Sequence, residues 1–135
     1  MSLRTRSGFI ETDALIAGGK VDHKRVQAMA FANKSLAADL ALKPLLALCA
    51  GKAEVAEACA ALGKWDGRFE NDSRGAWLFD RFWMKARNVP GIWAVPFDAK
   101  DPINTPRDFT KTREAGPKLI RAVTGKTLRK GSIPA

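Results

Sequence analysis

Histidine occurs once in this chain, at His23, and nothing around it resembles a catalytic constellation. Activating a serine or cysteine usually takes a base within hydrogen-bond reach, and His23 reads as a solvated residue in the polar first turn of a helix. There is no glycine-rich phosphate loop and no Cys/His ligand set, so neither a bound cofactor nor a metal ion is expected. No apolar run approaches the roughly 18 to 20 residues needed to cross a bilayer. The opening Met1-Ser2-Leu3-Arg4-Thr5-Arg6 also lacks the apolar stretch of a secretory signal, so any export signal is expected elsewhere.

Two cysteines are too few for a disulfide scaffold, and Cys49 and Cys59 stand ten positions apart, which is not the spacing of metal ligands. Two readings remain open for them. They can pair, closing a short loop worth about 2–3 kcal/mol in an oxidising compartment, or they can be two small buried thiols on helices.

Acidic residues are also in short supply, with 14 Asp+Glu against 23 Lys+Arg, a net charge of +9 and a pI near 10. Such a balance suggests a polyanionic partner. The basic residues are nevertheless scattered, with a cluster only at Lys126, Arg129 and Lys130, and no aromatic residues interleave with them. A solvated or partner-covered basic surface is the preferred reading, and a basic helical module binding nucleic acid or another polyanion is the alternative.

What is present points to a folded, mostly α-helical chain. The 135 residues suffice for one core, and 46% hydrophobic against 27% charged residues is an ordinary globular composition. Residues 3–17 read as a helix stopped by Gly18-Gly19, and Asp22 as the N-cap of a second helix with Val26, Met29 and Ala30 on one stripe. Residues 35–50 are rich in Ala and Leu, with Pro44 marking a kink or the start of a new helix. An Ala-rich helix over 53–62 follows, ended by Gly63.

Trp65-Asp66-Gly67-Arg68-Phe69 reads as a turn held by two aromatics, and Asp72 or Ser73 as the cap of a helix reaching Ala86. The apolar face of that helix is Ala76, Phe79 and Trp83, widened by Leu78 and Phe82. Pro90, Pro96, Pro102 and Pro106 make residues 90–107 an extended, surface-tracking loop, anchored by Ile92, Trp93, Val95 and Phe97. Helical periodicity returns from about Asp108 to Lys130, with Leu119, Ile120, Val123 and Leu128 inward.

The whole is about six helices in one segment, 1–135, organised as 1–63, 64–89, 90–107 and 108–135, without repeats or strand alternation. Asp66, Asp72, Asp98 and Asp101 are better explained as turn or cap residues than as an acid/base pair.

Trp65-Asp66-Gly67-Arg68, Asp72-Ser73-Arg74-Gly75-Ala76, Leu78-Phe79 and Phe82-Trp83 together resemble the penicillin amidase family, especially its branch acting on acyl-homoserine lactones and aculeacin-like acyl peptides. The order continues in Val95-Pro96-Phe97-Asp98, Asp101-Pro102 and Thr105-Pro106-Arg107. Upstream, Asn33 to Leu40 and Leu45 to Cys49 fit as well, so the similarity is collinear over nearly the whole chain.

The resemblance implies a self-cleaving precursor whose large subunit begins with a Ser or Cys nucleophile and uses its own α-amino group as base. Such chemistry needs no histidine. It further implies an oxyanion hole of backbone N–H and an Asn side chain, the Asn supported by an Arg. Ser2 lies in the wrong context for the nucleophile, and the Asn is expected upstream of this segment. The supporting Arg corresponds to Arg6, with Arg4 as second choice.

On this resemblance the chain is a helical lobe of a larger N-terminal-nucleophile hydrolase, a piece of the large subunit that is inactive alone. Its partners are the rest of that subunit and the small subunit, its parent cleaves the amide of acylated small molecules, and the setting is periplasmic or secreted.

Overall fold

A computed structural model describes residues 1–109. They form five α-helices and one short 3-10 helix, with no β-strand among the described residues. The helical stretch expected from about Asp108 to Lys130 lies, apart from Asp108 and Phe109, outside them.

Helix α1 spans Leu3–Ala17 and starts at Ser2, whose side chain accepts the Thr5 N–H at 3.1 Å. It ends at Gly18-Gly19, where Gly19 takes the left-handed φ of 100°. Helix α2, His23–Ala30, is capped by Asp22, whose carboxylate accepts the Arg25 N–H at 2.9 Å. Arg25 then reaches back to the end of α1, its guanidinium donating to the carbonyls of Leu15 and Lys20. The Leu15 carbonyl is an orphan of the kind every helix end leaves, and a cation satisfies it well.

The core is assembled by three further helices. Helix α3, Leu36–Cys49, is capped by Ser35 and runs unbroken through Pro44. The proline therefore neither kinks the chain into two helices nor opens a new one. It forfeits one backbone bond, and the burial of Ala37, Ala38, Ala41, Leu45 and Cys49 holds the helix on both sides. The 3-10 turn Ala53–Val55 leads into helix α4, Ala56–Gly63, and Ser73 rather than Asp72 caps helix α5, Arg74–Ala86.

The inward face of α5 is Ala76, Leu78, Phe79, Phe82 and Ala86, with Trp83 half-buried. Phe79 stacks nearly parallel to Trp83 with ring centroids 6.1 Å apart, and Phe109 closes against Phe82, Trp83 and Trp93. Full burial of each large side chain contributes about 1.5–3 kcal/mol, and aromatic pairs add about 0.5–1.5 kcal/mol.

Cys49 at the end of α3 and Cys59 in α4 form a disulfide. It ties together two helices whose connection is only a few residues long. Replacing both by serine is expected to lower the unfolding free energy by about 2–3 kcal/mol, the loop-closure contribution for so short a ring. Urea unfolding checks it: the reduced chain and the double-serine variant are expected to share one midpoint below that of the oxidised chain, and a midpoint unchanged by reductant counts against the bridge.

Helix α2 forms where its cap and spacing place it, with its apolar stripe left at the surface: Val26 and Ala30 are exposed and Met29 only half-buried, because α1 is the neighbour of α2 and α3–α5 supply the core. In the proline-rich segment, Ile92 is buried but Phe97 is 46% exposed, so only the first part anchors. The segment is also not a simple surface track. It folds back on itself, Val95 and Arg107 exchanging antiparallel backbone hydrogen bonds at 3.2 and 3.0 Å, with a cis peptide at Thr105-Pro106.

Candidate functional site

Charged side chains are almost never buried unless something holds them, so the one buried charge among the described residues marks the candidate site. Arg6 lies in the first turns of α1 and is 6% exposed. Its Nη1 donates to the Pro106 carbonyl at 2.6 Å, a contact across 100 positions of sequence. Its Nε–H is fully buried and has no acceptor among the described residues.

Desolvation pulls the Arg6 guanidinium below the ordinary arginine range, the Asp101 carboxylate opposes the shift and Arg107 adds to it. Arginine stays charged at any working pH, so the site presents a fixed cation with a rigid fork of donors, of which the fully buried Nε–H is unpaired among the described residues.

The surface that meets Arg6 is the folded-back proline loop. Thr105 is 3% exposed, and its hydroxyl accepts the Asp98 N–H at 2.8 Å and donates to the Asp101 carbonyl at 2.6 Å, with the Asp98 carbonyl also near at 3.2 Å. Arg107 stands between two carboxylates, Asp101 at 3.9 Å and Asp108 at 3.8 Å, all of them well exposed. Exposed pairs at such distances are worth little on their own.

Arg4, the alternative to Arg6, sits elsewhere. It is exposed on the wall of an open groove of about 810 Å³ between α1, the start of α3 and α5, with Leu3, Glu11, Asp80, Trp83 and Arg87 around it. The structure therefore separates two arginines that sequence places two positions apart.

The other singled-out residues take local roles. His23 is exposed at the start of α2. Ser2 caps α1. Asp66 accepts the Arg68 N–H at 3.0 Å inside its turn, Asp98 accepts the Lys100 N–H at 2.9 Å, and Asp101 accepts from the Asn104 side chain at 2.7 Å. No group of three or more His, Cys, Asp or Glu side chains that could hold a metal ion is found among the described residues, and no described helix is long and apolar enough to cross a membrane. Sequence reasoning gave Thr105 and Pro106 no role. The available signal was a Thr-Pro pair following Asp-Pro within a loop too rich in proline to be arbitrary in shape.

Comparison with known proteins places these residues in context. The family model for penicillin amidase matches residues 4–128. The chain is 34% identical over 109 residues to the acyl-homoserine lactone acylase PvdQ of Pseudomonas syringae pv. syringae, covering 76% of this chain and 14% of that protein. It is 35% identical over 109 residues to the PvdQ acylase of Pseudomonas savastanoi pv. phaseolicola, with the same two coverages. Against the aculeacin-A acylase of Actinoplanes utahensis it is 33% identical over 130 residues, covering 84% of this chain and 16% of that protein. The chain thus spans only about a seventh of the length of these relatives. A match of this extent, running through Arg6, the aromatic helix and the proline loop alike, establishes that the chain belongs to the penicillin amidase family.

Proposed function

We propose that this chain is the helical lobe of an acylase that hydrolyses the amide bond of an acylated small molecule: an acyl-homoserine lactone, a penicillin or an acyl-peptide antibiotic. In this reading the attacking Ser or Cys and its α-amino base belong to the remainder of the acylase, and the small subunit completes the assembly. Arg6 positions the Asn side chain that, with backbone N–H, holds the oxyanion of the tetrahedral intermediate.

The observation that carries the reading is the buried Arg6, with one N–H committed to Pro106 and the Nε–H without an acceptor among the described residues. A buried donor left unpaired costs about 1–3 kcal/mol, so an oxygen from outside these residues is the natural complement. A carboxamide oxygen of Asn fits that demand.

Two further features support it. Phe31, the cap residue at the end of α2, is 70% exposed and Ile16 of α1 61%, and neither helix has a fully buried hydrophobic side chain, as expected of a surface that a larger body covers. The Cys49–Cys59 disulfide suits an oxidising compartment and so supports the reading of a periplasmic or secreted acylase.

The net positive charge offers less to a polyanion reading than the total suggests. Residues 1–109 carry 16 Lys+Arg against 13 Asp+Glu, so most of the excess lies in residues 110–135 and not on the described helices.

The test is to supply N-acyl homoserine lactone, penicillin and an acyl peptide to an acylase containing this chain and to the chain alone, and to measure free amine. Release is expected from the acylase on at least one class, and none from the isolated chain. Turnover by the isolated chain overturns the division of roles proposed above.

A further inference from the structure

The Pro106 carbonyl can orient Arg6 only if its own place is set, and within a proline-rich loop the backbone has few hydrogen bonds with which to set it. Prolines 96, 102 and 106 donate none. One side chain makes up the difference. The Thr105 hydroxyl takes the Asp98 N–H at 2.8 Å and gives its proton to the Asp101 carbonyl at 2.6 Å, so a single buried oxygen ties together both limbs of the turn 98–105. The Val95–Arg107 backbone pair closes the mouth of the same loop. Pro106, the residue next to Thr105, then delivers its carbonyl to Arg6 at 2.6 Å.

We infer that Thr105 is a positioning residue for the acylase reaction, setting through the Pro106 carbonyl the direction in which Arg6 presents its unused Nε–H. The inference rests on the assignment of Arg6 above. The hydroxyl is the acting group: serine keeps both hydrogen bonds, while valine keeps the shape and loses them. Misplacement of a supporting group by a fraction of an ångström weakens the transition state more than the ground state, so the effect falls on kcat.

The experiment uses the full acylase with acyl-homoserine lactone, its active sites titrated so that unfolded protein does not count. Thr105→Val is expected to lower kcat about tenfold with KM nearly unchanged, and Thr105→Ser to restore kcat to within about twofold. Adding Arg6→Lys tests the route: if Thr105 acts through Arg6, the double variant is no worse than Arg6→Lys alone. Should the valine variant fail to fold, Thr105→Ala removes the hydroxyl with less bulk and carries the same expectation. An unchanged kcat for Thr105→Val or Thr105→Ala beside an impaired Arg6→Lys overturns this inference and leaves the function of Arg6 intact. If Arg6→Lys is also unimpaired, the assignment of Arg6 falls instead.

Discussion

Alanine at position 75 is expected to destabilise the chain by about 1–3 kcal/mol, although glycine-to-alanine changes in helices usually stabilise. Gly75 lies at the start of α5, directly beneath Trp65. A Cβ built there would stand 2.3 Å from the Trp65 Cβ and 2.4 Å from its Cγ, distances that no pair of carbon atoms tolerates. Trp65 has little room to retreat. Its indole N–H donates to the Arg68 carbonyl at 2.8 Å, and its ring packs on Phe69 and Phe79 with centroids 5.3 Å away in both cases. Relief must therefore come from moving α5 off the Trp-Asp-Gly turn, which loosens the aromatic cluster at its most buried member, Phe79.

Gly8 provides the opposite case within the same chain. It sits inside α1 with nothing within 4 Å of its would-be Cβ, so Gly8→Ala is expected to stabilise by about 0.5–1 kcal/mol. Urea unfolding followed by the fluorescence of the four tryptophans checks both. A stabilising effect of Gly75→Ala would show that the Trp65 contact is not limiting.

The contrast between Gly75 and Gly8 also separates what sequence reveals from what it hides. Cap residues act over three positions, so Asp22 and Ser35 announce the helices they open, and Asp72-Ser73 leaves only a choice between neighbours. The inward face of α5 is legible for the same reason, since Phe79 and Phe82 repeat at helical spacing. Periodicity, however, states that a face is apolar and not that anything covers it. Val26, Met29 and Ala30 share one stripe at helical spacing, and α2 fully buries none of them.

Pro44 shows the reverse limit, a local helix breaker overruled by packing on both sides. The candidate site is the least legible part. Arg4 and Arg6 are equivalent as letters, and only the approach of the 105–107 backbone, 100 positions away, buries one and leaves the other in the open groove. Arg6 enters the sequence reading through family resemblance, whereas its burial is a property of the fold.

That burial makes Arg6→Ala the variant with the largest expected effect on function. Removing one donor of an oxyanion hole lowers kcat by about 10²–10³-fold, and a residue that aims such a donor is expected near the lower end, about 10²-fold. Loss of fold does not account for a drop of that size. The bond to Pro106 is charge-assisted and short, but deleting it also removes a charge whose desolvation opposes folding, and the two effects offset each other.

Arg6→Lys keeps the charge while losing the planar fork, so a single ammonium nitrogen must stand in for the separately placed Nη1 and Nε donors. It is expected to recover stability more fully than activity. Burial lowers the Arg6 guanidinium from its ordinary range, yet the group remains charged throughout the working pH range, so these losses should not vary between pH 6 and 9. A pH-dependent loss would point to a different titrating partner.

Arg4→Ala serves as the comparison, an exposed residue on the groove wall whose removal should change stability by no more than about 0.5 kcal/mol and kcat little. Steady-state hydrolysis of acyl-homoserine lactone by the full acylase, with titrated active sites, distinguishes the two. A large loss at Arg4 with none at Arg6 would transfer the supporting role to the groove and leave the buried guanidinium a structural clamp on the proline loop.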